Sequence, residues 1–474
     1  MDKTRLKPWC GTRWVVITML VACVGLAGAE EPKLGQVSVA GSSSSQLAGE
    51  ATTKEAPLPA TQVAKDDIPW LIPYTDYRGD LWNRPALTGD WFGLRQDLMD
   101  HGMRLDVSLT QILQRNLSGG TKYEGSYQGG LDILFQLDTD KAGLWPGGWF
   151  RVKGEARYGQ DNNFNTGAIM PVNFDALYPV PGRDEIELSE FNFTQFLATW
   201  VGVTLGRYSP RDANVFAHDE TEQFLNTAFN INPVMLTTIP QTFLGAGVVL
   251  LPMKDVMLTT LVLDSEGKGD EYGFDTAFER GTSIFQQLEV GIKPFGLPGH
   301  QRIGWTWSDK SRVRLEQVTS DIVLDWIKYR LGLGDMPTLA HRGSDWSFFY
   351  DFDQYLYVVP GSKDRGIGVF GRFGMTDGVV SPIGSFYSLG VSGKGMIPGR
   401  DNDTFGVGYY YLAVSDKLGP VLSKLANDEQ GVEIYYNLAV TPWLHITPDL
   451  QIIDPARKSV DTTVVAGIRM KIDF

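Results

Sequence analysis

The chain has 474 residues, with 42 Lys and Arg against 56 Asp and Glu and a formal net charge of −14. So acidic a surface argues against nucleic acid as a partner, and no run of about 18 apolar residues exists to make a membrane-spanning helix. The 53 Gly, 24 Phe, 18 Tyr and 13 Trp suit a protein of many β-strands better than a soluble α/β enzyme.

In chain order, an export signal comes first. Lys3, Arg5, Lys7 and Arg13 form a positive flank, an apolar stretch follows from Trp14 to Ala27, and Ala27-Gly28-Ala29 is a small-x-small cleavage site. Leu20-Val21-Ala22-Cys23 loosely fits a lipid-modified cysteine, but the better cleavage site lies downstream. The only cysteines, Cys10 and Cys23, fall within this segment, so a chain cleaved after residue 29 has neither a disulfide nor a thiolate metal site. Cleavage removes four bases and one acid (Asp2) and takes the formal charge from −14 to −17. Residues 30–66 are rich in Ala, Ser, Glu, Pro and Thr. They predict a disordered linker, because they bury too little apolar surface to offset the entropy of ordering.

Residues 67–474 form the folded domain. Two stretches carry helical spacing: Trp91 to Asp100, with Trp91, Leu94 and Leu98 on one face, and Arg312 to Leu333, with Leu315, Val318, Ile322 and Trp326. The second falls where a loop is expected. The remainder alternates with period two. Leu105, Val107 and Leu109 alternate with Arg104, Asp106, Ser108 and Thr110, and Phe150, Val152, Gly154, Ala156 and Tyr158 alternate with Arg151, Lys153, Glu155 and Arg157. Val432–Thr441 repeats the pattern, as does the last strand, where Ala466, Ile468, Met470, Ile472 and Phe474 alternate with Arg469, Lys471 and Asp473. Four charged side chains on one face need water, while the other face suits lipid or a core.

About sixteen such segments follow one another, most of them close to the 9–11 residues that a tilted strand needs to cross a bilayer. Long connections, such as 160–184, 209–244 and 310–344, alternate with tight ones at 252–254 and Pro442. This segregation predicts a transmembrane antiparallel β-barrel with short periplasmic turns and long extracellular loops. Closure satisfies every backbone group where hydrocarbon offers no partner. Trp145, Trp149, Tyr357, Trp443 and Phe474 at strand ends are candidates for interfacial girdles.

Leu87-Thr88-Gly89-Asp90-Trp91-Phe92-Gly93-Leu94-Arg95, continuing to Leu98 and Gly102, is similar to the opening signature of the OprB family of carbohydrate-selective porins. Glu433-x-Tyr435-Tyr436, Thr441-Pro442-Trp443-Leu444, Thr447-Pro448-Asp449-Leu450-Gln451, Pro455 and the closing Gly467-x-Arg469-x-Lys471-x-Asp473-Phe474 resemble it too. The resemblance spans residues 67–474. It implies a sixteen-stranded barrel in the outer membrane of a Gram-negative cell, in contact with lipid and lipopolysaccharide as a monomer or homotrimer. It also implies passive uptake of monosaccharides such as glucose, and of small oligosaccharides. The linker and the helical stretch near 312–333 depart from the family pattern and leave room for a structural role at the cell envelope. A general or ion-selective porin of the same architecture is the other alternative.

A sugar filter needs paired donors and acceptors and flat apolar faces, and it must bind weakly enough to release. The candidates for the lining are Arg104, Asp106, Asp132, Arg151, Lys153, Glu155 and Arg157. Loop 209–244 is the candidate constriction, with Arg211, Asp212, His218, Asp219 and Glu220. Charge reversal at Arg151 or Arg157 should change flux more than stability. No catalytic or cofactor site is expected. The five histidines are scattered without metal-ligand spacing, no phosphate loop or nucleophile elbow is present, and no Ser/His alternation marks a lipid-facing hydrolase.

Overall fold

The computed structural model describes residues 72–182, 186–211, 213–267, 274–331, 333–334 and 336–474. The expected signal and linker lie outside the described residues. Strands β1 (Met103–Ser118), β2 (Gly125–Asp138), β3 (Gly148–Gly159), β4 (Glu187–Ala198) and β5 (Val201–Tyr208) open the sheet. It continues through β6 (Phe243–Met253), β7 (Val256–Asp264), β8 (Thr282–Ile292), β9 (Gly299–Ser308), β10 (Asp345–Val358) and β11 (Gly366–Thr376). Strands β12 (Ile383–Lys394), β13 (Thr404–Val414), β14 (Glu429–Thr441), β15 (Leu444–Asp454) and β16 (Thr463–Asp473) complete it. Each pairs antiparallel with its sequence neighbours, and β16 pairs with β1 from Ser108↔Asp473 to Ser118↔Val464. The barrel is closed.

Alternation decides which way every side chain points. In β14, Glu433, Tyr435 and Asn437 are buried inside, while Ile434 and Val440 stand 46% and 40% exposed on the outer wall. Leu205, Leu389, Leu450 and Ile468 are likewise exposed. In water such a belt would cost roughly 25 cal/mol for each Å² of apolar surface. Against lipid it costs nothing. The connections at 199–200, 254–255 and 442–443 are two residues long, and those at 160–186, 209–242 and 309–344 lie at the opposite end.

At the short-turn end, Trp145 meets Phe150 and Phe193 on the outer wall, each at 6.4 Å between ring centres, and those two rings stack at 4.5 Å. Trp149 departs from the expected girdle. It shares its face with Arg151, so it points inward and packs edge-on against Phe196 at 5.4 Å.

Helix α1 (Leu94–Asp100) follows a single turn at Trp91–Gly93. Its apolar face is not the buried one, since Leu94 is exposed while Arg95, Gln96 and Met99 are buried. The cause is the barrel seam. Arg95 donates to the Phe474 carbonyl at 2.6 Å and the Leu105 carbonyl at 2.9 Å, and its guanidinium lies 3.8 Å from the Tyr77 ring centre. Helix α2 (Ser320–Arg330) is shorter than the expected Arg312–Leu333, because Arg312–Val313 pairs with His341–Arg342 in a small hairpin. Leu315 and Val318 pack on Leu422 from another loop instead of joining the helix.

Candidate functional site

Two long loops fold into the barrel and reduce its bore. The larger, 209–242, is apolar where it meets the wall. Phe216, Phe224, Phe229, Ile231 and Val234 are all buried there. Glycines on the facing strands make the room. A Cβ at Gly368 would lie 2.2 Å from the Phe216 ring, at Gly406 2.7 Å from Phe224, at Gly408 2.5 Å from Phe229, and at Gly374 2.5 Å from Val234. Any larger residue would collide with the loop, so these glycines define its seat.

Polar wall groups then fix the loop's backbone. Arg302, Arg372 and Arg469 donate to the carbonyls of Ala213, Ala217 and Gln223 at 2.9, 2.5 and 2.7 Å. The Glu433 carboxylate accepts from the amides of Leu225 and Asn226 at 2.6 and 2.9 Å. Asn226 donates to Gln451 at 3.0 Å, and Asn232 to Asp351 at 3.1 Å. Hydrogen bonds to charged groups contribute about 1.5–3 kcal/mol each, so the loop is a fixed partition. Among the described residues its contacts run from β8, where Ser283 donates to the Thr238 carbonyl at 2.9 Å, round to β16, and Arg211 meets the β1–β4 wall.

That wall carries the expected ladder, divided into two populations. Arg157 is buried, pairing with Asp132 at 2.7 Å, Asp175 at 2.9 Å and Glu155 at 3.3 Å. Lys153 and Glu155 are buried with it, 2.5 Å apart. The side chains of Arg104, Asp106, Asp132 and Arg151 keep partial access to water, from 15% to 34%. Arg104 pairs with Asp106 at 2.6 Å and Arg151 with Glu190 at 2.5 Å.

The loop closes on this ladder through Arg211, which binds Glu220 at 2.6 Å and reaches Glu155 on β3 at 3.3 Å. Beside it, Glu222 of the loop holds Lys471 of β16 at 2.5 Å. Burial pushes the Glu220 carboxyl pKa up, with Arg211 opposing. Burial would raise Asp219 too, but Lys471 and His218 hold it well below the usual carboxylate range. Asp212 lies outside the described residues. Of the others, Asp132, Lys153, Glu155, Arg157, Arg211 and Glu220 form one connected ion-pair cluster, while Arg104 with Asp106 and Arg151 with Glu190 are separate pairs and Asp219 lies beside Lys471.

The sequence reading missed the anchors Glu433, Arg302, Arg372 and Arg469. Their inward phase was legible in the alternation, but their partners lie 89 to 246 residues away.

The model of the carbohydrate-selective porins of the OprB family matches residues 122–474. The chain belongs to that family. As an OprB-family porin it is an outer-membrane carbohydrate channel. Porin B of Pseudomonas aeruginosa is 24% identical over 432 residues, covering 83% of this chain and 92% of that protein. The putative porin QuiX of Acinetobacter baylyi is 24% identical over 452 residues, covering 83% and 95%. The high-pH structure of Pseudomonas putida OprB shares the fold, with a TM-score of 0.69 at 21% identity over 84% of this chain and all of that one.

Proposed function

We propose that the constriction between loop 209–242 and the β1–β4 wall selects neutral monosaccharides such as glucose and passes them down their gradient. One observation carries this reading. Each cation of the lining has a carboxylate partner: Arg104 with Asp106, Arg151 with Glu190, Lys153 with Glu155, Arg157 with Asp132, Arg211 with Glu220 and Lys471 with Glu222. A filter for ions would present one sign of charge and focus its field. This one presents alternating donors and acceptors of nearly balanced charge, which a hydroxyl-covered ring satisfies at many orientations. The water-accessible side chains, Arg151 and the Arg104–Asp106 pair, make the direct contacts, with the buried Glu190 and the Arg157 cluster behind them. The outer apolar belt contacts lipid and, in the outer leaflet, lipopolysaccharide.

Liposome swelling across a panel of sugars, sugar acids and amino acids tests this. Glucose should enter faster than an organic anion or cation of similar size. Equal rates for all three would point to a general porin, and a preference for one charge would point to an ion-selective pore.

A further inference from the structure

The segment ahead of helix α1 reaches the inner wall of the barrel. In β1, Thr110, Ile112, Gln114 and Asn116 are buried while Leu113, Arg115 and Leu117 are exposed, so the even-numbered side chains face inward. Arg104 and Asp106 belong to that set, and the segment holds both. The Tyr77 hydroxyl donates to Asp106 Oδ1 at 3.1 Å, and Arg104 Nη1 donates to the Pro73 carbonyl at 3.4 Å. Residues 73–77 therefore lie against the inner face of β1, with Tyr77 only 3% exposed. The stretch that follows is tied down in turn. The Leu87 amide donates to the Asp473 carbonyl and the Trp443 indole to the Leu81 carbonyl, both at 2.7 Å. Tyr77 lies ahead of residues 122–474, the part that matches the family model.

Two arginines compete for Asp106. Its Oδ2 accepts from Arg104 Nε at 2.6 Å, while its Oδ1 lies 3.8 Å from Arg95 Nη2. The Tyr77 hydroxyl occupies that Oδ1, and the Tyr77 ring lies 3.8 Å from the same Arg95 guanidinium. Burial, with the Asp106 charge beside it, pushes the Tyr77 phenol pKa up, so the hydroxyl is a donor at neutral pH. An ion pair is a stronger bond than the one the phenol makes, so an Asp106 without its phenol partner turns toward Arg95. We propose that Tyr77 is a positioning residue of the sugar pathway: its hydroxyl keeps Asp106 on Arg104, so that the wall presents a balanced donor–acceptor pair. Without that hydroxyl Arg104 keeps only the Pro73 carbonyl, and its positive charge stands uncompensated toward the lumen. The inference rests on the proposal that the Arg104–Asp106 pair contacts the sugar.

The full chain in planar bilayers is compared as wild type, Tyr77→Phe and Asp106→Asn. Tyr77→Phe removes the hydroxyl and keeps the ring against Arg95, so its unfolding temperature in detergent should equal that of the wild type. The glucose concentration that half-blocks the ion current should rise about fivefold, the worth of one hydrogen bond, with the maximum block unchanged. The reversal potential in a potassium chloride gradient should move toward chloride, in the same direction as in Asp106→Asn, which removes the negative charge outright. A Tyr77→Phe channel with the wild-type reversal potential and the wild-type half-block would overturn the proposal, since a residue that only packs keeps its role as phenylalanine. The reversal potential does not depend on sugar. If glucose blocks neither channel, that shift still decides the role of Tyr77, and the carbohydrate reading falls by itself.

Discussion

At the residue scale, burial separates side chains that alternate identically in the sequence. Arg151 and Arg157 occupy the same face of β3, but Arg151 keeps 34% of its side chain exposed and Arg157 only 1%. Reversal at the two sites should therefore differ in its effect. Arg151→Glu should slow glucose swelling severalfold while the barrel keeps its heat-modifiable migration on gels. Arg157→Glu leaves Asp132, Glu155 and Asp175 facing a like charge, and breaking a buried pair costs about 3–5 kcal/mol. It should lower folded yield and unfolding temperature, and unchanged values of both would show that the cluster does not hold the constriction. Glu220 adds a pH effect. Its raised pKa means that it gains a proton at a higher pH than an ordinary glutamate. As pH falls, the constriction loses a negative charge beside Arg211, so reversal-potential measurements should show selectivity moving toward anions.

At the scale of elements, loop and wall are fitted to each other. The glycines of β11 and β13 have no side chain because the loop's aromatic rings occupy that space, as the 2.5 Å approach of Phe229 to a Cβ at Gly408 shows. Gly408→Val should push the loop from the wall or block its docking, giving larger single-channel conductance and weaker discrimination among sugars. Wild-type conductance would mean that the loop does not set the bore. Helix α1 is held by Arg95 rather than by its apolar residues, with two charge-assisted bonds across the seam. Arg95→Ala should reduce stability by about 2–4 kcal/mol, read as a lower unfolding temperature in detergent. The same elements show what the sequence carried. The Gly-Asp-Trp-Phe-Gly signature and the period-two strands were readable because local spacing determines them. The buried face of α1 and the extent of α2 were not, because the Phe474 carbonyl and the Leu422 side chain that decide them belong to distant segments.

At the scale of the whole molecule, closure into a barrel explains both faces at once. The outer face is apolar because lipid is its solvent, and the inner face is charged because water and sugar are. Strand positions and loop segregation were legible for that reason, and so was the inward phase of Arg104, Asp132 and Lys153. The seat of loop 209–242 on the inner wall was not legible, since nothing in the chain's local pattern says where a long loop docks. The central claim is that sugar passes along the β1–β4 wall, in contact with the water-accessible Arg151 side chain. Single-channel recording in planar bilayers with increasing glucose tests it most directly. Glucose should reduce the ion current in a saturable way, phosphate should not, and Arg151→Glu should weaken the block. A current indifferent to glucose, or blocked equally in wild type and variant, would contradict the account.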